Sequence, residues 1–125
     1  MRGRILLAAM ALAAGCGGRG ETPDPEPGVA CTMEARSAFA VTVLDAVTGA
    51  SLAPAATVRV TDGTYSATLD AFDGTYSGAH ERPGTYTVVV SHPDYQQWQR
   101  LGVVVERDEC HVITEAVEAR LTPRP

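Results

Sequence analysis

The sequence predicts an all-β fold, a seven-stranded antiparallel β-sandwich within residues 31–125. Three observations lead to this prediction. In several segments apolar and polar residues alternate over four to eight positions, as they do in half-buried strands. Turn-forming pairs such as Asp62-Gly63 separate these segments. The 12 glycines and 8 prolines indicate many turns rather than a helical bundle.

The N-terminus has the features of a secretory signal. Two arginines, Arg2 and Arg4, precede an uncharged apolar run from Ile5 to Ala14. A helix that spans a bilayer needs about 20 apolar residues, so this run is too short to be a permanent anchor. We therefore expect residues 1–15 to act as an export signal.

The end of this segment, Leu12-Ala13-Ala14-Gly15-Cys16, resembles the lipobox of bacterial lipoproteins. The resemblance implies cleavage before Cys16 and attachment of diacylglycerol to its sulfur, which would anchor the chain to the bacterial cell membrane. The alternative is ordinary signal cleavage near the alanines, with Cys16 an incidental residue. Some lipoproteins retained in the inner membrane carry an acidic residue after the cysteine. This chain has Gly17 there, which favours the outer membrane.

Residues 16–30 are expected to be the lipidated cysteine and a flexible tether. The segment from Gly17 to Ala30 contains three prolines and four glycines and almost nothing apolar. Such a segment cannot bury enough surface to fold. We expect it to hold the domain away from the membrane surface.

The charge balance limits the classes of partner. The chain carries ten basic residues, all arginine, and fifteen acidic ones, for a net charge of −5. An acidic chain with 6% aromatic residues is a poor candidate for nucleic-acid binding, so no nucleic-acid partner is expected. Removal of residues 1–15 would remove two arginines and no acidic residue. Membrane attachment is therefore expected through acyl chains rather than through charge.

Three cysteines are an awkward number for an exported protein. If Cys16 carries lipid, Cys31 and Cys110 are left as one pair in an oxidising compartment, where disulfides persist. A bridge between them would close a loop of about 80 residues and add at most roughly 4.5 kcal/mol of stability. Two free thiols or a redox pair are the alternatives, although the chain contains no Cys-x-x-Cys motif.

The domain is expected to contain seven strands. The pair Asp62-Gly63 lies between two alternating runs and favours a hairpin with a type I′ turn. The last segment has helical propensity from Glu115 to Leu121, but Val112 and Ile113 open it and favour a strand. The predicted strands are 38–45, 56–61, 64–71, 75–80, 85–92, 96–105 and 111–121.

Several motifs resemble carboxypeptidase regulatory-like domains in their order and spacing, over about residues 38–121. Val41–Asp45 followed by Thr48-Gly49 resembles the opening strand and turn of that family. Asp73–Tyr76 resembles its Asp-Gly-aromatic turn, and Pro83–Val90 resembles its Pro-Gly-Thr-Tyr strand. His92–Tyr95 stands where the family usually has Gly-Tyr. The resemblance implies a transthyretin-like (prealbumin-like) sandwich that performs no chemistry itself.

The candidate catalytic and metal-binding groups are few. His80, His92 and His111 lie in different segments without ligand spacing, and zinc would need three or four ligands brought together by folding. Asp70 and Asp73 lack the pattern of a calcium loop, and Asp73 is better interpreted as a turn residue. We therefore expect no enzyme activity, no cofactor and no metal. A small hydrolase or a metal-binding protein on the same fold is the alternative function.

Trp98 is the candidate for partner contact, together with Arg100. If Leu101, Val103 and Val105 face the core, strict alternation places Trp98 and Arg100 on the solvent face. An exposed tryptophan beside an arginine is typical of an interface. The alternatives are a tryptophan packed over a sheet edge, or a bulge at Gly102 that switches the faces.

The sequence thus predicts a lipid-anchored envelope lipoprotein, acting as a binding or structural module for a protein or glycan partner.

Overall fold

A computed structural model of the chain describes residues 30–125, which contain eight β-strands and no helix. All eight belong to the unit Met33–Pro125. The all-β prediction is confirmed, but the number of strands is eight rather than seven. Within residues 30–125 no helix has the length and apolar character to cross a membrane. The strands are β1 (Phe39–Asp45), β2 (Thr57–Asp62), β3 (Tyr65–Thr68), β4 (Asp70–Phe72), β5 (Thr75–Ser77), β6 (Gly84–His92), β7 (Tyr95–Val105) and β8 (Glu115–Leu121).

The strands form two four-stranded sheets. Sheet I has the order β4-β5-β1-β8, and sheet II has the order β3-β2-β6-β7. The first and last strands pair in parallel, from Phe39 opposite Glu115 to Asp45 opposite Leu121. The expectation of a purely antiparallel fold is therefore wrong for this pair. Strands so far apart in sequence share no turn, so no local pattern could reveal their direction.

The predicted strand 64–71 is in fact two strands in different sheets. β3 pairs with β2 in sheet II, whereas β4 pairs with β5 in sheet I. Leu69 lies at the crossing point, where its side chain is buried and its N–H donates to the carbonyl oxygen of Val58 at 2.8 Å. The alternation continues through the crossing, so the sequence suggested a single strand.

Hairpins form at both Asp62-Gly63 and Asp73-Gly74, but the type I′ turn expected at Asp62-Gly63 occurs at Asp73-Gly74. Between β2 and β3 only Gly63 has positive φ, 61°, as a type II′ turn requires. Between β4 and β5 both Asp73 and Gly74 have positive φ, 52° and 84°, as a type I′ turn requires. The interpretation of Asp73 as a turn residue is thus confirmed.

Two predicted strands are shorter than expected. The segment 75–80 leaves the sheet after Ser77, and Ala79 and Glu81 then adopt positive φ values of 53° and 55°, outside the extended conformation of regular strands. The segment 111–121 is a strand from Glu115 onward, so the helical alternative is wrong there.

The core consists of the inward side chains of both sheets. Phe39 of sheet I meets Tyr86 of sheet II edge to face, with ring centroids 4.9 Å apart. The buried hydroxyl of Tyr76 donates to the carbonyl oxygen of Ala56 at 2.7 Å, so this ring enters the core without an unpaired polar atom. Each fully buried valine adds about 1.5–3 kcal/mol of apolar burial. The fully buried valines are Val41, Val43, Val58, Val60, Val88, Val90 and Val112.

Candidate functional site

Strand β7 contains a bulge that decides which of its side chains face the core. Val103 lies opposite Tyr86, but Arg100 lies opposite Val88, so β7 has one more residue than β6 in this interval. Gly102 supplies the extra residue with φ 67°, the left-handed conformation that glycine adopts at bulges of this kind. The bulge reverses the alternation between the two halves of β7.

The reversal corrects the placement of Trp98. Trp98 lies opposite Val90, whose side chain is fully buried, and the indole is half-buried against the core. Leu101, which strict alternation assigned to the core, is 67% exposed. The expectation that Trp98 lies on the solvent face is therefore wrong, whereas Val103 and Val105 are buried as expected.

Trp98 and Arg100 are nevertheless in contact at the surface. The guanidinium carbon of Arg100 lies 5.2 Å from the centroid of the indole ring, within cation–π range. Arg100 is exposed and has no carboxylate partner among residues 30–125. Nearby on the opposite face of the strand, Leu101 and Val104 are 67% and 50% exposed. We call these four residues the β7 edge patch.

The patch lies on an open strand edge. β7 is the last strand of sheet II, and within residues 30–125 it pairs only with β6 from Trp98 to Val105. Before the patch, the N–H of Gln96 donates to the carbonyl oxygen of Thr122 at 2.8 Å, so the C-terminal segment covers the beginning of the strand. An uncovered strand edge offers backbone N–H and C=O groups to a partner.

The beginning of β7 is tied to sheet I by a buried carboxylate. The Tyr95 hydroxyl donates to Asp45 Oδ2 at 2.6 Å, and the N–H groups of Val47 and Thr48 donate to Asp45 Oδ1 at 2.6 and 2.9 Å. These hydrogen bonds, with that of Tyr95 the strongest, lower the pKa of Asp45 below its ordinary value. The same bond raises the pKa of Tyr95. The arrangement fixes the strand on which the patch is built.

Cys31 and Cys110 form one disulfide, as predicted from the cysteine count. The loop before β8 is ordered locally by Asp108, whose Oδ1 accepts the N–H groups of Cys110 and His111 at 2.8 and 2.9 Å. These bonds, that of His111 first, lower the pKa of Asp108. The free-thiol alternative is thus wrong for this structure.

Glu81 holds together the segment before β1 and the loop before β8. Its Oε2 accepts the backbone N–H of Arg36 at 2.9 Å and lies 2.6 Å from Nδ1 of the buried His111. Its Oε1 accepts the N–H of Val112 at 3.1 Å. The Arg36 bond first, and then His111, lower the pKa of Glu81 to about 2. Sequence analysis did not predict this role for Glu81, because its partners are 30 or more positions away in sequence.

The three histidines occupy three different environments. His111 pairs with Glu81, His92 lies at the end of β6, and His80 is exposed in the connection before β6. Within residues 30–125, no three histidine, cysteine or acidic side chains are grouped closely enough to hold a metal ion. In this part of the chain the candidate functional surface is therefore the β7 edge patch rather than a cluster of metal-binding side chains.

Comparison with other proteins leaves the family open. No protein-family model matches the chain, and no curated protein is significantly similar to it. The predicted signal, the Cys16 lipidation site and most of the tether lie outside the described residues.

Proposed function

We propose that this chain is an exported bacterial lipoprotein, anchored to the outer membrane by lipid on Cys16, whose β-sandwich is a non-catalytic binding module. The apolar run followed by small residues directly before Cys16 supports the anchor. The proline- and glycine-rich segment 17–30 supports a tether. The order of the turn motifs along the chain, together with two four-stranded sheets, supports a carboxypeptidase regulatory-like domain of transthyretin-like type.

The contact between Trp98 and Arg100 carries the assignment of a binding role. Tryptophan and arginine are, with tyrosine, the side chains enriched at the energetic centres of interfaces. Here the inner part of the indole packs on the core, which fixes its orientation, and the outer part is left for a partner. A contact surface that is rigid before binding loses less entropy on association.

The patch favours a protein or glycan with acidic or acceptor groups. Arg100 brings a cation without a carboxylate partner among the described residues, and the indole offers a flat apolar face. Leu101 and Val104 add exposed apolar surface on the other face of the same strand edge. An envelope protein could add hydrogen bonds to the open backbone of β7, whereas a glycan would stack on the indole.

The anchor is tested by mass spectrometry of the membrane fraction. We expect wild-type chain cleaved before Cys16 with a lipid-sized mass increase on that residue, and we expect Cys16→Ser to abolish both. Cys31→Ser is the matched control, because it removes a cysteine of the disulfide and should leave the lipid in place. Absence of lipid on wild-type Cys16 would overturn the lipoprotein proposal.

The binding role is tested on native gels of mild detergent extracts. We expect the wild-type chain to migrate in a complex larger than the processed chain alone, and Arg100→Gln to reduce that complex. Arg120→Gln is the matched control, since Arg120 is a half-exposed arginine on β8 that pairs with Glu118. Equal loss of the complex in both variants, or a wild-type chain that migrates alone, would contradict the proposal.

A further inference from the structure

A cleft of about 350 Å³ lies at one end of sheet II, where β2 begins and β6 ends. Thr57, Ser91, His92, Pro93 and Arg124 line it. Thr57 and Ser91 are directly opposite each other in the β2–β6 ladder, and both are exposed. Their side chains therefore leave the sheet on the same side, with Cβ atoms about 5 Å apart. The cleft is shallow and open to solvent.

Arg124 is positioned by two hydrogen bonds to the turn between β6 and β7. Its backbone N–H donates to the carbonyl oxygen of Asp94 at 3.0 Å, and its Nε–H donates to the carbonyl oxygen of Tyr95 at 3.1 Å. Neither bond uses the two terminal amino groups of the guanidinium. Among residues 30–125, Arg124 has no ion pair with a carboxylate. Its positive charge and its terminal N–H donors are thus available to a ligand.

His92 is held in one orientation beside Arg124. Its Nδ1 accepts the backbone N–H of Asp94 at 3.1 Å, and its ring packs edge to face on Tyr95, with centroids 4.9 Å apart. Because Nδ1 accepts a hydrogen bond, the neutral ring carries its proton on Nε2. The imidazole therefore offers one further N–H donor.

The residues that line the cleft are suited to an anion. Two hydroxyls, an imidazole N–H and a guanidinium line it, and no carboxylate does. The chain as a whole has a net charge of −5, so binding of an anion here would depend on this local group of donors rather than on the overall charge. Guanidinium groups bind carboxylate and phosphate oxygens with paired, charge-assisted hydrogen bonds.

We propose that this cleft binds a small oxyanion, a phosphate or carboxylate group of a low-molecular-weight ligand. The Arg124 guanidinium supplies the charge, and the Thr57, Ser91 and His92 side chains supply the remaining hydrogen bonds. The site is distinct from the β7 edge patch in its residues and in its ligand, so it does not depend on the binding role proposed above.

Titration of the full chain with sodium phosphate and, separately, sodium acetate tests the proposal, with chemical shifts of backbone amides and the His92 ring as the readout. Sodium chloride at matched ionic strength is the salt control. We expect saturable shifts confined to Thr57, Ser91, His92, Asp94 and Arg124 with at least one of the two anions. The anion that saturates at lower concentration identifies the preferred group.

Variants separate the site from general charge effects. We expect Arg124→Gln to weaken binding at least about tenfold, because it removes the charge-assisted hydrogen bonds. Thr57→Val keeps the side-chain shape and should weaken binding about threefold to tenfold through loss of one hydroxyl. Arg120→Gln removes an arginine outside the cleft and should leave binding unchanged. Unperturbed amide spectra away from the cleft would verify that the variants fold.

The proposal is overturned by any of three results. The first is that neither anion produces saturable shifts at the cleft. The second is that chloride reproduces these shifts. The third is that Arg120→Gln weakens binding as much as Arg124→Gln does.

Discussion

Truncation of Trp98 to alanine tests whether the β7 bulge sets the faces of the strand. A fully buried tryptophan costs about 3–5 kcal/mol when it is replaced by alanine. The Trp98 indole is half-buried against the core, and its contact with the exposed Arg100 adds about 0.5 kcal/mol. We therefore expect Trp98→Ala to lower the free energy of unfolding by about 2–3 kcal/mol.

Leu101→Ala is the matched control on the same strand. Leu101 is 67% exposed, so its truncation should cost under about 0.5 kcal/mol. Strict alternation without a bulge predicts that Leu101→Ala costs more stability than Trp98→Ala. Leu101→Ala would then cost about 2–5 kcal/mol and Trp98→Ala under about 1.5 kcal/mol.

Urea unfolding with the disulfide intact measures both values. Trp98 is the single tryptophan, so far-UV circular dichroism rather than fluorescence must serve as the common probe. A larger loss for Leu101→Ala than for Trp98→Ala would refute the placement of the bulge. A loss above about 4 kcal/mol for Trp98→Ala would mean a fully buried indole and would remove it from the proposed contact surface.

Three further predictions concern stability. Reduction of the Cys31–Cys110 disulfide should lower the free energy of unfolding by at most roughly 4.5 kcal/mol, because it frees a loop of about 80 residues in the unfolded chain. The urea midpoint should fall accordingly, and an unchanged midpoint would contradict this. Glu81→Gln should destabilise the folded chain at neutral pH. The difference in thermal midpoint between the variant and the wild type should shrink as the pH falls from about 4.5 to about 2. The reason is that the pKa of Glu81 in the folded chain is lowered to about 2, so its contribution to stability is lost on protonation. A pH-independent difference in thermal midpoints over that range would exclude the role assigned to the carboxylate. Gly84→Ala should cost about 1–3 kcal/mol, because Gly84 has φ 158°, which other residues rarely adopt, and because a Cβ there would overlap the Asp62 carboxylate. Asp62→Ala should recover the part of that loss due to the overlap in the double variant; additive effects in the cycle would argue against the overlap.

Sequence reasoning succeeded where the signal is local. Alternation and turn residues located most strands, because each depends on neighbouring positions. The cysteine count predicted the disulfide between Cys31 and Cys110. The type I′ turn was assigned to Asp62-Gly63 instead of Asp73-Gly74, because the dipeptide alone does not determine how the flanking strands pair.

Features that depend on tertiary contacts were not predictable in the same way. Leu69 continues an alternating pattern while the chain changes sheets, so the local pattern hides the crossing. Gly102 did signal a possible bulge, but only the pairing with β6 shows that it reverses the faces around Trp98. The cleft around Arg124 combines side chains from the beginning of β2, the end of β6 and the C-terminal segment, and no motif spans such separations.

The central claim is that the β7 edge of a lipid-anchored module contacts a partner in the envelope. Photo-crosslinking in living cells tests this claim most directly. A photoreactive phenylalanine analogue would replace Leu101, which is 67% exposed within the patch, or Phe72, which is 82% exposed on sheet I. We expect a discrete crosslinked product in the membrane fraction from position 101, lost on Arg100→Gln, and none from position 72. No product from position 101, or the same product from both positions, would contradict the account.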